Sequence, residues 1–250
     1  MADYVELTER LMSLLERIEP LIPKPVKSID FEQYSAFRWV PAQQWIPAHL
    51  SPIQHFAEIH FSDLIGVDEK AEIIRANSQQ FIHKLPANNI LLTGSRGTGK
   101  SSLIKATLTE FAKDGLKMIE IDRDSLSDLN QLISILSQSH HPFIIFCDDL
   151  SFEAEDSSYK SLKALLDGSL MNPPDNILFY ATSNRRHLLP EYMSDNQNAK
   201  MDHNNEIHLG EAIEEKISLS ERFGIWLTFY SFSQNDYLNI VRNWLAILDS

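Results

Sequence analysis

The sequence predicts an α/β fold of three layers, a parallel sheet with helices on both faces. Three observations predict it. From residue 67 onward, short apolar runs bounded by turn residues alternate with amphipathic stretches, the pattern of successive strand–helix units. The runs are apolar throughout rather than at every second position, as strands covered on both faces must be. The first run leads straight into "GSRGTGKS", where glycines are too dense for helix or strand and the backbone has to bend tightly.

The elements follow in order. "MADYVELTERLMSLLERIEPLI" places Leu7, Leu11, Leu14, Leu15 and Ile18 at helical spacing, and "IPKPVKSID" is a proline-marked linker. Residues 31–60 are rich in aromatics and read as irregular structure packed on the core. Phe37, Trp39, Trp45, Phe56 and Phe61 read as packing groups rather than a base-stacking surface, since the chain is acidic. Residues 67–84 form a helix that ends before Pro86. "NILLTG" (89–94) is a buried strand, and the helix after the glycine loop closes at Gly115. "LKMIEID" (116–122) is the second strand. The helix at 125–139 carries Leu126, Leu129, Leu132 and Leu136 on one face. "PFIIFCDDL" (142–150) is the third strand, 157–170 a helix, and "NILFYATSN" (176–184) the fourth strand. Residues 190–208 are polar and read as a loop. A helix near 211–222, a fifth strand "GIWLTFY" (224–230) and a last helix (233–248) complete the chain.

Composition excludes several function classes. Acidic residues outnumber basic ones 35 to 22, for a net charge of −13, which argues against non-specific nucleic-acid or anionic-membrane binding. No apolar window reaches the roughly 18 residues needed to span a bilayer. The charged N-terminus is not a signal peptide. The single cysteine, Cys147, suits a reducing cytoplasm, where the chain is expected. The adjacent His140 and His141 lack convergent partners in the sequence and read as loop residues rather than metal ligands.

The chemistry resides in the glycine stretch. Gly94, Ser95, Arg96, Gly97, Thr98, Gly99, Lys100 and Ser101 fit G-x-x-x-x-G-K-[ST] after a strand and before a helix, the context of a phosphate loop. Its N–H groups and the helix N-terminus at Ser102 favour a phosphate. Lys100 serves the β- and γ-phosphates, and the Ser101 hydroxyl serves Mg²⁺. At the end of the third strand Asp148 is the expected metal carboxylate, with Asp149 polarising the attacking water or Glu153 replacing it. Asn184, at the end of the fourth strand, is the candidate for positioning water, with Thr182 and Ser183 as weaker ones. Arg185 and Arg186 read as a solvated turn. Arg222 ends a helix and is expected at the same sheet edge as Asp148 and Asn184, reaching a neighbouring subunit's nucleotide.

Together these residues resemble the AAA+ ATPase superfamily. "FSDLIGVDEK", "NNILLTGSRGTGKSSLIKA", "IIFCDDLSFE", "YATSNRRHLLPE" and "EEKISLSERFG" are similar, more narrowly, to the bacterial AAA+ family of domain of unknown function 815, from about residue 35 to the end. The resemblance implies an αβα core with a five-stranded parallel sheet in the order 5-1-4-3-2. It implies ATP and Mg²⁺ as ligands and places Ile65 and Gly66 near the adenine. It divides the chain into an N-terminal helix and linker (1–34), an ATPase core (35–232) and the start of a short or truncated helical lid (233–250). No second sensor arginine is assigned, since Arg242 falls too early in the last helix. The expected activity is ATP hydrolysis that drives or gates an unknown protein partner, in an assembly built through Arg222. The alternative is a slow, nucleotide-gated binding module resembling a helicase loader.

Overall fold

The computed structural model describes residues 29–152, 158–166, 174–184 and 222–248, together with Thr8 and residues 11–13. The expected leucine periodicity at the N-terminus, the helix near 211–222, the 190–208 loop, Glu153, Arg185 and Arg186 lie outside the described residues or largely so.

The sheet runs through strands β1 (Ala36–Val40), β2 (His49–Pro52), β3 (Ile90–Gly94), β4 (Lys117–Glu120), β5 (Phe143–Cys147), β6 (Ile177–Ser183) and β7 (Ile225–Phe229). Its order is β2-β1-β4-β5-β6-β3-β7. The five expected strands are there as β3 to β7, all parallel to their neighbours and in the order 5-1-4-3-2. The expectation of five strands is nevertheless corrected to seven among the described residues. Part of the segment read as irregular forms β1, parallel to β4, and β2, antiparallel to β1. β1 meets its parallel partner β4 only through long-range pairing. Ala36, Phe37 and Trp39 are buried while Arg38 faces out to meet Glu120 of β4 at 2.8 Å.

Helices α1 (Asp68–Ile82), α2 (Lys100–Phe111), α3 (Leu129–Leu136), α4 (Ser158–Leu166) and α5 (Gln234–Leu248) accompany the strands. Gly115 takes the left-handed cap conformation after α2, at φ 92°, as the sequence predicts. Successive strand residues point to opposite faces, so the core has two halves. Leu91, Ile119, Phe143, Ile145, Cys147, Phe179 and Ala181 pack with Leu129, Leu132, Leu136 and Leu162 of α3 and α4. Ile90, Leu92, Met118, Ile144, Phe146, Leu178 and Tyr180 pack with Ala71, Ile74 and Phe81 of α1 and Leu103, Ile104 and Leu108 of α2. This double covering explains the unbroken apolar runs.

The aromatic segment is mixed. Phe37, Trp39 and Phe61 are buried, Phe56 is half-buried, and Trp45 is 79% exposed and does not pack. Trp39 keeps its indole N–H satisfied by donating to Asp128 at 3.0 Å. In the α1–α2 half of the core, the Tyr180 hydroxyl meets Asn77 Nδ2 and Ser78 Oγ, each at 2.9 Å. Burial pushes that phenol up to about 12, so it is neutral and able to donate at any working pH.

The tightest constraint is at the β3–β7 pair. Gly94 has φ 128°, and a Cβ there would lie 1.9 Å from the Phe229 carbonyl oxygen. That atom is backbone in a paired strand and cannot move aside. Gly94→Ala should therefore cost about 2–4 kcal/mol through overpacking and a disallowed φ, read as a lower urea midpoint with unchanged m-value. Gly97→Ala should cost less, because a Cβ at Gly97 meets nothing within 4 Å.

Candidate phosphate and metal site

The strand order dictates where the polar residues gather. β3, β5 and β6 are parallel, with Cys147 level with Ala181 and Thr93 level with Ser183. Their C-terminal ends therefore deliver the loop 94–99, Asp148–Asp149 and Asn184 to one edge, where open α/β sheets bind ligands. A cleft of about 330 Å³ opens there, lined by Arg96, Gly97, Thr98, Gly99, Lys100, Ser101, Ser102, Asp148, Asp149, Thr182 and Asn184.

Lys100 is the first residue of α2 and only 5% exposed. Its Nζ donates to Gly94 O at 2.8 Å, Ser95 O at 2.7 Å and Asn184 Oδ1 at 3.2 Å. Burial lowers its proton affinity below that of an ordinary lysine, opposed by the charges of Asp148 and Asp149. Thr98 is buried and donates to Ser95 O at 2.8 Å, bracing the loop from inside.

Ser101 Oγ donates to Asp148 Oδ1 at 2.7 Å. The same oxygen accepts from Thr182 Oγ1 at 2.5 Å. Thr182 Oγ1 in turn accepts the Asp149 N–H at 3.0 Å, and Leu150 N–H donates to Thr182 O at 2.7 Å. These bonds hold Asp149 in the left-handed region at φ 54°, uncommon for a residue with a side chain. The turn aims its carboxylate across the cleft. Oδ1 accepts from Asn184 Nδ2 at 2.7 Å, and Oδ2 lies 3.6 Å from Arg96 Nη2. Cys147, just before, is fully buried, and burial pushes its thiol up to about 12, so it is not a nucleophile at neutral pH.

Thr182 has a larger part than the sequence suggests. It was a weaker candidate for positioning water. It is buried instead, and its hydroxyl orients both acids. Only the register of β5 against β6 reveals this, because 34 residues separate it from Asp148.

Not every expected residue lines the cleft itself. Gly94 and Ser95 contribute carbonyls to Lys100 but do not line it. Ile65 and Gly66 do not line it either. They precede α1, and a Cβ on Gly66 would contact Phe232 at 3.6 Å. The expected position of Arg222 is corrected. It precedes β7, which runs parallel to β3 with Ile225 level with Ile90 and Phe229 level with Gly94. Arg222 therefore stands at the opposite edge from Asp148 and Asn184, beyond the start of a strand of about 16 Å. It is anchored beside Phe223, which is buried against Phe179.

The donor set can be tested for fit to Mg²⁺ and phosphate. Ser101 and Asp148 present hard oxygens at one point, the kind Mg²⁺ takes. The loop has open backbone at Gly97 and Gly99, both at positive φ with free space outside, beside a buried ammonium. These residues fit a magnesium-bound polyphosphate. Thr182→Val should remove a buried donor and acceptor together, costing about 1–3 kcal/mol. It should also weaken Mg²⁺ binding without altering the loop, as read by thermal melting and by Mg²⁺ titration.

Comparison with known proteins places this geometry in context. Among solved structures, the Thermotoga maritima RuvB Holliday junction branch migration motor matches at 15% identity and TM-score 0.46, over 76% of this chain and 54% of that one. Two single-substitution variants of it match at 14% and 12% identity, with TM-scores of 0.47 and 0.48 and the same coverage. The chain thus spans about half the length of these motors. Comparison with curated proteins finds no match. Residues 32–250 match the family described as "Protein of unknown function (DUF815)", and the chain belongs to that family.

Proposed function

We propose that the chain binds ATP with Mg²⁺ and hydrolyses it. The observation that carries this reading is the convergence, on one sheet edge, of the buried Lys100 ammonium, the Ser101–Asp148 oxygen pair and the Asp149–Asn184 pair. Loop N–H groups and the N-terminus of α2 bind phosphate oxygens, and Lys100 adds a full positive charge that burial leaves poorly screened. Ser101 Oγ and the Asp148 carboxylate would hold Mg²⁺, which neutralises charge on the transferred phosphate. Thr182 keeps Asp148 oriented. Asp149 accepts the proton of the attacking water at a carboxylate oxygen. Asn184, already bonded to both Lys100 and Asp149, sets the distance between base and phosphate.

A second reading, a slow nucleotide-gated switch, is favoured by one observation. Both oxygens of Asp149 are engaged, by Asn184 and by Arg96. A carboxylate held this way is a poor base until those partners move. Turnover would then be gated by a partner or by a second copy of the chain. No helix among the described residues is long and apolar enough to cross a membrane, and the acidic chain is expected to meet protein rather than nucleic acid.

Lys100→Ala should abolish ATP binding while leaving the melting temperature near that of the parent, and equal affinity by calorimetry would overturn the phosphate-site reading. Asp149→Asn should bind ATP normally and lose turnover by about 10²-fold or more. Arg96→Ala decides between the two readings. It should raise turnover if the ion pair restrains Asp149, and leave or lower it if the site is a committed motor.

Arg222 stands at the opposite sheet edge from its own chain's cleft, so any role in turnover is across a subunit boundary. ATPase activity should then rise faster than linearly with protein concentration. Arg222→Ala should lose about 10³-fold in turnover while still binding ATP, as arginine fingers do. Mixing it with Lys100→Ala should recover activity. A linear concentration dependence and no recovery in a shown co-assembly would reduce Arg222 to a structural residue.

A further inference from the structure

A second cluster of ligand-type side chains lies at the far end of β5. Asp148 and Asp149 follow that strand, whereas His140 and His141 precede it, so about 16 Å of strand separates the two places. The sequence offers the histidines no partner. The fold brings one, Glu32, from more than a hundred residues away. Glu32 Oε1 lies 3.2 Å from His141 Nε2 and 3.9 Å from His140 Nε2. All three ligand atoms fall within 4.8 Å of one another.

The three residues are held by independent means. The turn carrying Glu32 is fixed by Asp30, whose Oδ1 accepts the Glu32 and Gln33 N–H groups at 3.0 Å each. Phe31 anchors it, packing on Phe37 at 5.1 Å and Phe143 at 5.0 Å. The histidine backbone is fixed by Asn176, whose Nδ2 donates to the carbonyls of Leu136, Ser139 and His141. The His141 ring is nearly buried, and the His140 ring lies over it at 4.3 Å. Glu32 and His140 are exposed, at 78% and 82%, so the open side of the cluster faces solvent.

We propose that Glu32, His140 and His141 bind a divalent cation of the zinc class, with a fourth position left to water. Two imidazole nitrogens and one carboxylate oxygen are the donors that select Zn²⁺ and its neighbours over Mg²⁺ and Ca²⁺. Ligands about 2.0–2.2 Å from a tetrahedral ion stand about 3.3–3.6 Å apart. The observed Glu32–histidine separations bracket that range, so only small side-chain shifts are needed. The Glu32 carboxylate already acts on the buried Lys117 electrostatically, and an incoming cation competes with that ammonium. This sets the site apart from a closed four-ligand structural centre and makes it exchangeable. A bound ion would clip the segment entering β1 to the turn entering β5 and stabilise the chain by mass action.

The test uses the full, untagged chain stripped with EDTA and desalted. Zn²⁺ titration by calorimetry should show a saturable site, and the melting temperature should rise with zinc but not with equal Mg²⁺. Glu32→Gln and His140→Ala change exposed side chains, so both should melt like the parent in EDTA. Each should lower zinc affinity tenfold or more. Asp148→Asn, at the other end of β5, should leave that site unchanged. His141→Ala is avoided, because it opens a hole beside Phe31 and Phe143. The proposal is overturned if the parent shows no saturable zinc binding, or if Glu32→Gln and His140→Ala bind zinc as tightly as the parent. Loss of the zinc signal in Asp148→Asn alone would equally overturn it by assigning the ion to the phosphate cleft.

Discussion

A buried ammonium has to be surrounded by oxygen, and much of the cleft is arranged around meeting that requirement for Lys100. Its Nζ is satisfied by two loop carbonyls and by Asn184. Gly94, which supplies one of those carbonyls, takes a positive φ against the Phe229 backbone. That close approach in turn requires β7 to lie beside β3. The charge at the start of α2 and the edge strand on the far side of β3 are therefore parts of one constraint.

The acids are organised from the neighbouring strand rather than from their own. Thr182 hydrogen-bonds Asp148 through its hydroxyl and receives the Asp149 N–H on the same atom. One buried hydroxyl thus couples the Asp148 carboxylate to the left-handed backbone at Asp149. Asn184, two residues on, ties the Asp149 carboxylate back to Lys100. Lys100, Asn184, Asp149, Thr182, Asp148 and Ser101 form one hydrogen-bonded circuit, in which displacement of one member is felt by the others.

β5 is the axis of the molecule in a second sense. It is buried along its whole length and carries polar residues at both ends. Its acidic end lines the cleft, and its histidine end meets Glu32 from the segment that leads into β1. The strands added by residues 36–52 therefore do more than widen the sheet. They bring the N-terminal approach alongside β4 and β5, where Phe31 and Glu32 find their partners.

By itself the sequence determined the parallel core and the tight glycine loop after β3, and it singled out Lys100, Ser101, Asp148, Asp149 and Asn184, which the fold brings to one edge. Those features are local: apolar runs of strand length, glycines ahead of a helix, acids directly after a buried strand. Each is imposed by backbone conformation or burial within a few residues, so each leaves a mark in a short window. Tertiary structure decided what depends on register and long-range pairing. β1 is as long as β3 and β5, but it pairs in parallel with β4, far along the chain, and β2 follows it as the sheet edge. Thr182 looked like one polar residue among several until its level against Asp148 was known. Arg222 was expected beside the acids, and the parallel direction of β7 sends it to the opposite edge. His140 and His141 looked partnerless, because a carboxylate in a distant turn is invisible to spacing along the chain.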